Sequence, residues 1–214
     1  HMDSSGRMTT DYALLAAARL QSTSDLQDPL RYPPIAANAP LTVLPEQAAS
    51  WGYPQPGMSD EEIVYTLVTS LAGSVYLSGH LDRMSDHQIA LVRAAADLAK
   101  ALRTHLCRDA PWWPADVAGW NDPWVVAARA ASPHSREGIL LVWHRPGLGS
   151  GAPEILLPAL ADCGVEQIYP PRDLVPEPGL RAEPGPHGLR LTGAATPLAR
   201  AYLVRSHHCV NDAA

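Results

Sequence analysis

The sequence predicts two architectures in one chain: an α/β half with parallel strands over residues 1–106, and an antiparallel β region over 124–214. Three observations carry this reading. Two amphipathic helices, opened by capping boxes at Ser59 and Ser85, alternate with short strand candidates in the first half. A Trp/Pro-rich connector covers 107–123. Beyond it, short apolar runs recur between Gly and Pro turn signals, the spacing of an antiparallel sandwich or barrel.

Taken in order, Asp11 to Leu20 is Ala/Leu-rich and suits a helix, which breaks at the polar run Gln21-Ser22-Thr23-Ser24-Asp25. Arg31 to Pro40 carries three prolines, so the reading there is extended chain leading into a short strand, Leu41 to Leu44. Trp51 to Gly57 reads as an aromatic–proline loop. Ser59 with Glu62 forms the first box, and Ile63, Leu67 and Leu71, with Val64 and Val68, make a core-facing stripe that stops at Gly73. Ser74 to Leu77 is a short apolar strand. Ser85 with Gln88 opens a second helix running to about Leu106, with Ile89, Val92, Ala96, Ala99 and Leu102 on one stripe. After the connector, strands are expected at Trp124–Ala128, Ile139–His144, Glu154–Leu157, Leu189–Thr192 and Leu198–Val204. His1-Met2 reads as a cloning scar and is left out of the fold reading.

Composition narrows the function classes. The chain has 214 residues, 46% hydrophobic and 18% charged, which is a globular composition. A formal net charge of -6 without a basic stripe argues against a nucleic-acid binder. No apolar run reaches the length of a membrane span. The three cysteines, Cys107, Cys163 and Cys209, form no CxxC pair and read as free thiols in a reducing compartment, so a cytoplasmic location is expected. His207-His208-Cys209 lacks a second ligand pair at zinc-site spacing and reads as a polar tail. With no Phe in the chain, Trp, Leu and Val must fill the core. That favours packing over sugar stacking for Trp51, Tyr53, Trp112 and Trp113.

The best chemical candidate is the polar cluster from Ser22 to Asp28, which contains Asp25 and Asp28. In an α/β barrel the loops that follow strands carry the active site, and a carboxylate there can act as a general acid. Ser and Asp also favour turns for purely local reasons, and composition alone leaves both readings open. Glu46-Gln47 follow the expected strand Leu41 to Leu44 and read either as facing the site or as capping the next turn. His80 and His144 stand alone in apolar runs and read as structural.

Several stretches taken together resemble family 36 glycoside hydrolases, the α-galactosidase family. They are STSDLQDPLRY, YPPIAANAP, VLPEQAASWGYPQPGMSDEEI, GHLDRMS and WNDPW, in that order, and the match spans Asp11–Leu106 and Pro111–Arg205. The resemblance implies the C-terminal part of a (β/α)8 TIM barrel followed by an antiparallel β-sandwich. It implies a retaining hydrolysis of terminal α-galactosides, such as raffinose-type oligosaccharides, by two carboxylates and without metal or cofactor. Asp25 falls on the first acidic position of the family's S-D-x-x-D motif, which makes it the implied acid/base. Asp28 falls on the second, which implies a supporting, substrate-binding residue or an alternative to Asp25. Ser4-Ser5-Gly6 match the start of a C-S-S-G-G-G-R-like substrate loop, which implies galactose contacts at Asp3 and Ser5. Asp3 stands where the family has Cys, and two glycines are lost.

The family's nucleophile Asp precedes the acid/base by a long interval, and none of the 24 residues before Asp25 matches it. The isolated chain is therefore expected to be inactive. It is also expected to self-associate, or to pair with a chain carrying the rest of the barrel. The alternative is a non-catalytic carbohydrate-binding or structural remnant. The WNDP run at Trp120–Pro123 resembles an acid/base motif of a related galactosidase family but lacks its second Asp, and reads as structural.

Overall fold

The computed structural model describes residues 2–3, 12–131, 137–149, 152–176 and 179–206. Strands β1 (Met2–Asp3), β2 (Gln21–Ser22), β3 (Ala48–Gly52) and β4 (Ser74–Leu77) form a parallel sheet whose spatial order is the chain order. Helices α1 (Tyr12–Ala17), α2 (Tyr32–Asn38) and α3 (Asp60–Ser70) make the crossovers, and α4 (Asp86–Ala101) and α5 (Arg103–Arg108) follow β4. Among the described residues no helix is long and apolar enough to cross a membrane.

Among the described residues eight antiparallel strands follow: β5 (Ala110–Trp112), β6 (Trp124–Ala130), β7 (Glu137–His144), β8 (Glu154–Leu157), β9 (Cys163–Tyr169), β10 (Leu180–Gly185), β11 (Gly188–Gly193) and β12 (Leu198–Ser206). They make a five-stranded sheet ordered β5-β6-β7-β12-β9 and a three-stranded sheet ordered β10-β11-β8.

Strand β7 shows how the layers stack. Every residue from Gly138 to His144 is buried, so both faces are covered. Ile139, Leu141 and Trp143 join a core with α2, α3 and α4, whereas Leu140 and Val142 join one with the three-stranded sheet. The larger sheet is thus the middle layer. Polar contacts lock it to the helices. The Trp143 indole N–H donates to Thr69 Oγ1 at 3.0 Å, and the Tyr169 hydroxyl donates to the Leu91 carbonyl at 3.2 Å. The buried Arg200 guanidinium meets Glu61 through two bonds of 2.7 and 2.6 Å.

Both capping boxes form as the spacing predicts, and α3 and α4 begin immediately after Ser59 and Ser85. Four local readings are corrected. Arg31 to Pro40 is mostly helix, because Pro33 and Pro34 occupy the first turn of α2, where no intrahelical N–H is required. Leu41 to Leu44 is not a strand: a 3-10 turn covers Ala39–Leu41, and Leu41 and Leu44 are exposed. The strand comes later, as β3, and takes in Trp51 and Gly52 from the expected loop. The polar Gln21-Ser22 is a buried strand, and Met2 pairs with Gln21. Strands β5 and β10 hold Pro111 and Pro184, which is tolerable because both are edge strands.

At the far end of β7, His144 is buried with its ring 4.3 Å from that of Trp124, and a Cβ on Gly193 would collide with the imidazole. Burial pushes the His144 pKa below its ordinary value, so the folded chain holds the ring neutral. The unfolded chain binds a proton more readily, so this contribution is intact above about pH 6.5 and declines as pH falls toward the lower folded value. Denaturant unfolding between pH 7.5 and 5 is expected to show that decline, and His144→Gln is expected to flatten it.

Candidate functional site

The site is built at the C-terminal ends of the parallel strands, where α/β sheets present their loops. Register pairs Ser22 with Ala49, Ala49 with Ser74, and Trp51 with Tyr76. A Cβ on Gly52 would lie 3.3 Å from Ser70 Cβ in α3, so Gly52 faces the helix layer and its neighbour Trp51 faces away from it. Trp51 stacks with Tyr53 at 6.0 Å and lies 5.0 Å from Tyr76. Its indole N–H donates to Ser22 Oγ at 2.9 Å.

A hydrogen-bond chain fixes the exit from β2. The Trp51 amide donates to the Tyr32 hydroxyl at 2.9 Å, and Tyr32 and Thr23 share a 2.7 Å bond. Thr23 Oγ1 donates in turn to the Ala49 carbonyl at 3.1 Å. Since Thr23 has a single hydroxyl proton, Tyr32 is the donor to Thr23. Burial raises the Tyr32 pKa, which keeps that donor protonated. Sequence reading did not single out Tyr32, because the partners of its hydroxyl lie 9 and 19 residues away.

Asp25 follows directly. Ser24 Oγ accepts from the Leu26 amide at 3.0 Å, forming a local turn around Asp25. The Asp25 carboxylate is exposed and has no hydrogen bond or ion pair among the described residues. Asp28 is also exposed, and its Oδ1 accepts from the amides of Leu30 at 2.9 Å and Arg31 at 3.3 Å. It holds the turn that leads into α2. Asp3 stands in β1 with its backbone in register with Ser22, and Ser5 lies outside the described residues, as do His207, His208 and Cys209.

Other candidates sit elsewhere. Glu46-Gln47 precede β3 and so lie at the opposite strand ends from Asp25; the Glu46 carbonyl accepts from Ser74 Oγ at 2.8 Å. Trp113 donates to the Ala37 carbonyl at 3.2 Å, and Trp112 packs with the β-sheet core. His80 is exposed.

No protein-family model matches the sequence, and no curated protein matches it. Solved structures do match. The chain is similar to a variant of the GH36 α-galactosidase AgaA from Geobacillus stearothermophilus in complex with 1-deoxygalactonojirimycin, with a TM-score of 0.67 and 10% identity over 90% of this chain and 26% of that one. AgaB from the same organism gives 0.62 and 11% over 90% and 26%. The galactosidase domain of the α-galactosidase–sucrose kinase AgaSK gives 0.55 and 14% over 85% and 25%. Other AgaA variants are in complex with raffinose and stachyose. At this identity the likeness is one of fold. The chain has the mixed α/β and antiparallel fold that fits a C-terminal portion of GH36 α-galactosidases, and it spans about a quarter of the length of the structures it matches.

Proposed function

We propose that this chain is the C-terminal part of a retaining α-galactosidase. Residues 1–106 supply the last strand–helix units of a (β/α)8 barrel, 107–123 the connector, and 124–214 a β-sandwich. The observation that carries the reading is the place of Asp25, on the loop that leaves the C-terminal end of a parallel strand. The S-D-x-x-D match and the fold likeness to GH36 enzymes support it. Asp25 protonates the departing glycosidic oxygen, then deprotonates the water that releases galactose. Asp28 holds the loop's shape at the edge of the substrate site, and Asp3 and Ser5 contribute on the galactose side. The substrates are terminal α-galactosides of the raffinose type.

A retaining reaction requires a second carboxylate as nucleophile, about 5–5.5 Å from the acid/base. No motif match in these 214 residues supplies it. The purified chain is expected to release no nitrophenol from 4-nitrophenyl α-galactoside. Turnover that disappears in Asp25→Asn would contradict that expectation.

Strand β4 is an edge strand with half-buried residues. Beside it runs a groove of about 690 Å³ whose wall mixes Val75, Leu77, Ala96 and Leu106 with the charged Glu46 and Arg103. An unpaired strand edge beside a partly apolar groove invites another chain. The isolated chain is therefore expected to self-associate, and light scattering checks it: a monodisperse monomer would count against the barrel reading and favour a stand-alone carbohydrate-binding or structural module.

A further inference from the structure

Arg145, immediately after β7, is fully buried, and among the described residues its guanidinium donates to backbone carbonyls alone. Nε donates to the Asp122 carbonyl at 2.9 Å, and Nη1 to that of Leu30 at 2.8 Å. Nη2 reaches the Trp120 carbonyl at 3.1 Å, the Gly119 carbonyl at 3.4 Å and the Asp122 carbonyl. The Arg145 amide donates to the Pro123 carbonyl at 2.7 Å. A planar fork of five N–H donors suits such a convergence of carbonyls, which a lysine ammonium cannot reproduce.

These bonds join segments distant in sequence, since Leu30 lies 115 residues from Arg145. Leu30 closes the turn opened by Asp28, and that turn ends the loop bearing Asp25. A second tie runs parallel to the first: Arg31 Nη1 donates to Asn121 Oδ1 at 3.1 Å, and the Arg31 guanidinium lies 5.4 Å from the centre of the Trp120 ring. The near end of the loop is held by the Thr23–Tyr32–Trp51 chain. Between these anchors, among the described residues, Ser22 Oγ donates to the Ser24 carbonyl at 3.3 Å and Ser24 Oγ accepts from the Leu26 amide, while the Asp25 carboxylate has no partner of its own.

We propose that Arg145 is the positioning residue of the Asp25 loop, through which the antiparallel region sets where that carboxylate stands. This rests on Asp25 being the acid/base. Catalytic groups tolerate little misplacement, and a shift of about 1 Å can cost about a hundredfold in rate. The connector is then part of the site's supporting shell as well as a link. The WNDP run serves it by supplying carbonyls to Arg145, with Asp122 Oδ2 accepting from the Gly119 amide at 2.6 Å.

Amide hydrogen exchange on the 214-residue chain tests this in wild type, Arg145→Lys and Arg145→Ala. In Arg145→Ala, exchange at Leu26, Leu30, Arg31 and Tyr32 is expected to rise about tenfold or more, with β10 and β11 unchanged. Arg145→Lys falls between, which keeps the test open if the alanine variant does not fold. Millimolar methylguanidinium, but not methylammonium, restores protection in Arg145→Ala. Unchanged loop exchange in both variants, or a rise shared equally by β10 and β11, overturns the proposal. In the enzyme expressed from the complete reading frame, Arg145→Lys lowers kcat for raffinose with KM little changed. A change in KM alone overturns the catalytic part. Asp25→Asn tests the underlying reading separately: if that variant keeps full activity, the acid/base assignment fails even where Arg145 still orders the loop.

Discussion

Asp25→Asn, made in the polypeptide expressed from the complete reading frame, is expected to cut raffinose hydrolysis about 10²- to 10⁴-fold, the usual contribution of a positioned general acid. The alkoxide that leaves raffinose is a poor leaving group and requires a proton as the bond breaks. Fluoride departs without one, so the first step with α-galactosyl fluoride is expected to survive in the same variant. Measuring the burst and steady-state rates for both substrates separates the steps. Equal losses in the first step for both would remove Asp25 from the role of proton donor.

The largest stability effect is expected at Trp143. Its side chain is fully buried in the core shared by the helices and the middle sheet, and its indole N–H is bonded to Thr69. Trp143→Ala deletes that volume and leaves the Thr69 hydroxyl without this partner, at a cost of about 3–5 kcal/mol. Trp143→Phe keeps most of the packing and is expected to cost about 1–2 kcal/mol for the lost hydrogen bond and reduced contact. Because Thr69 lies in α3 and Trp143 in β7, far-UV signals from helix and sheet are expected to shift together in denaturant. Two separated transitions, with only one moved by Trp143→Ala, would show that the layers fold independently.

The elements legible in the sequence are those whose signals are local. The boxes at Ser59 and Ser85 marked α3 and α4, and the apolar runs marked β4 and β8 at their observed bounds. What was lost depends on partners distant in sequence. Gln21-Ser22 is too short and polar to read as a strand, yet β1 and β3 on either side make it one. Pro33 and Pro34 read as helix breakers until the first turn of α2 is located, and Pro111 and Pro184 argue against strands until both prove to be edges. At the site, Asp25 stood out because a motif is a local pattern. Arg145 did not, since nothing near it in sequence says that its guanidinium will gather carbonyls from Leu30 and the connector.

The role proposed for Asp25 is that of the acid/base of a retaining α-galactosidase. With that role, the glycosyl-enzyme is expected to accumulate in Asp25→Asn because water lacks its base, whereas azide is a nucleophile that requires none. Proton NMR of the products from α-galactosyl fluoride with azide is the direct measurement. Faster turnover in azide, with α-galactosyl azide as the product, is expected. No acceleration and no azide adduct, or wild-type rates in the variant, would contradict it.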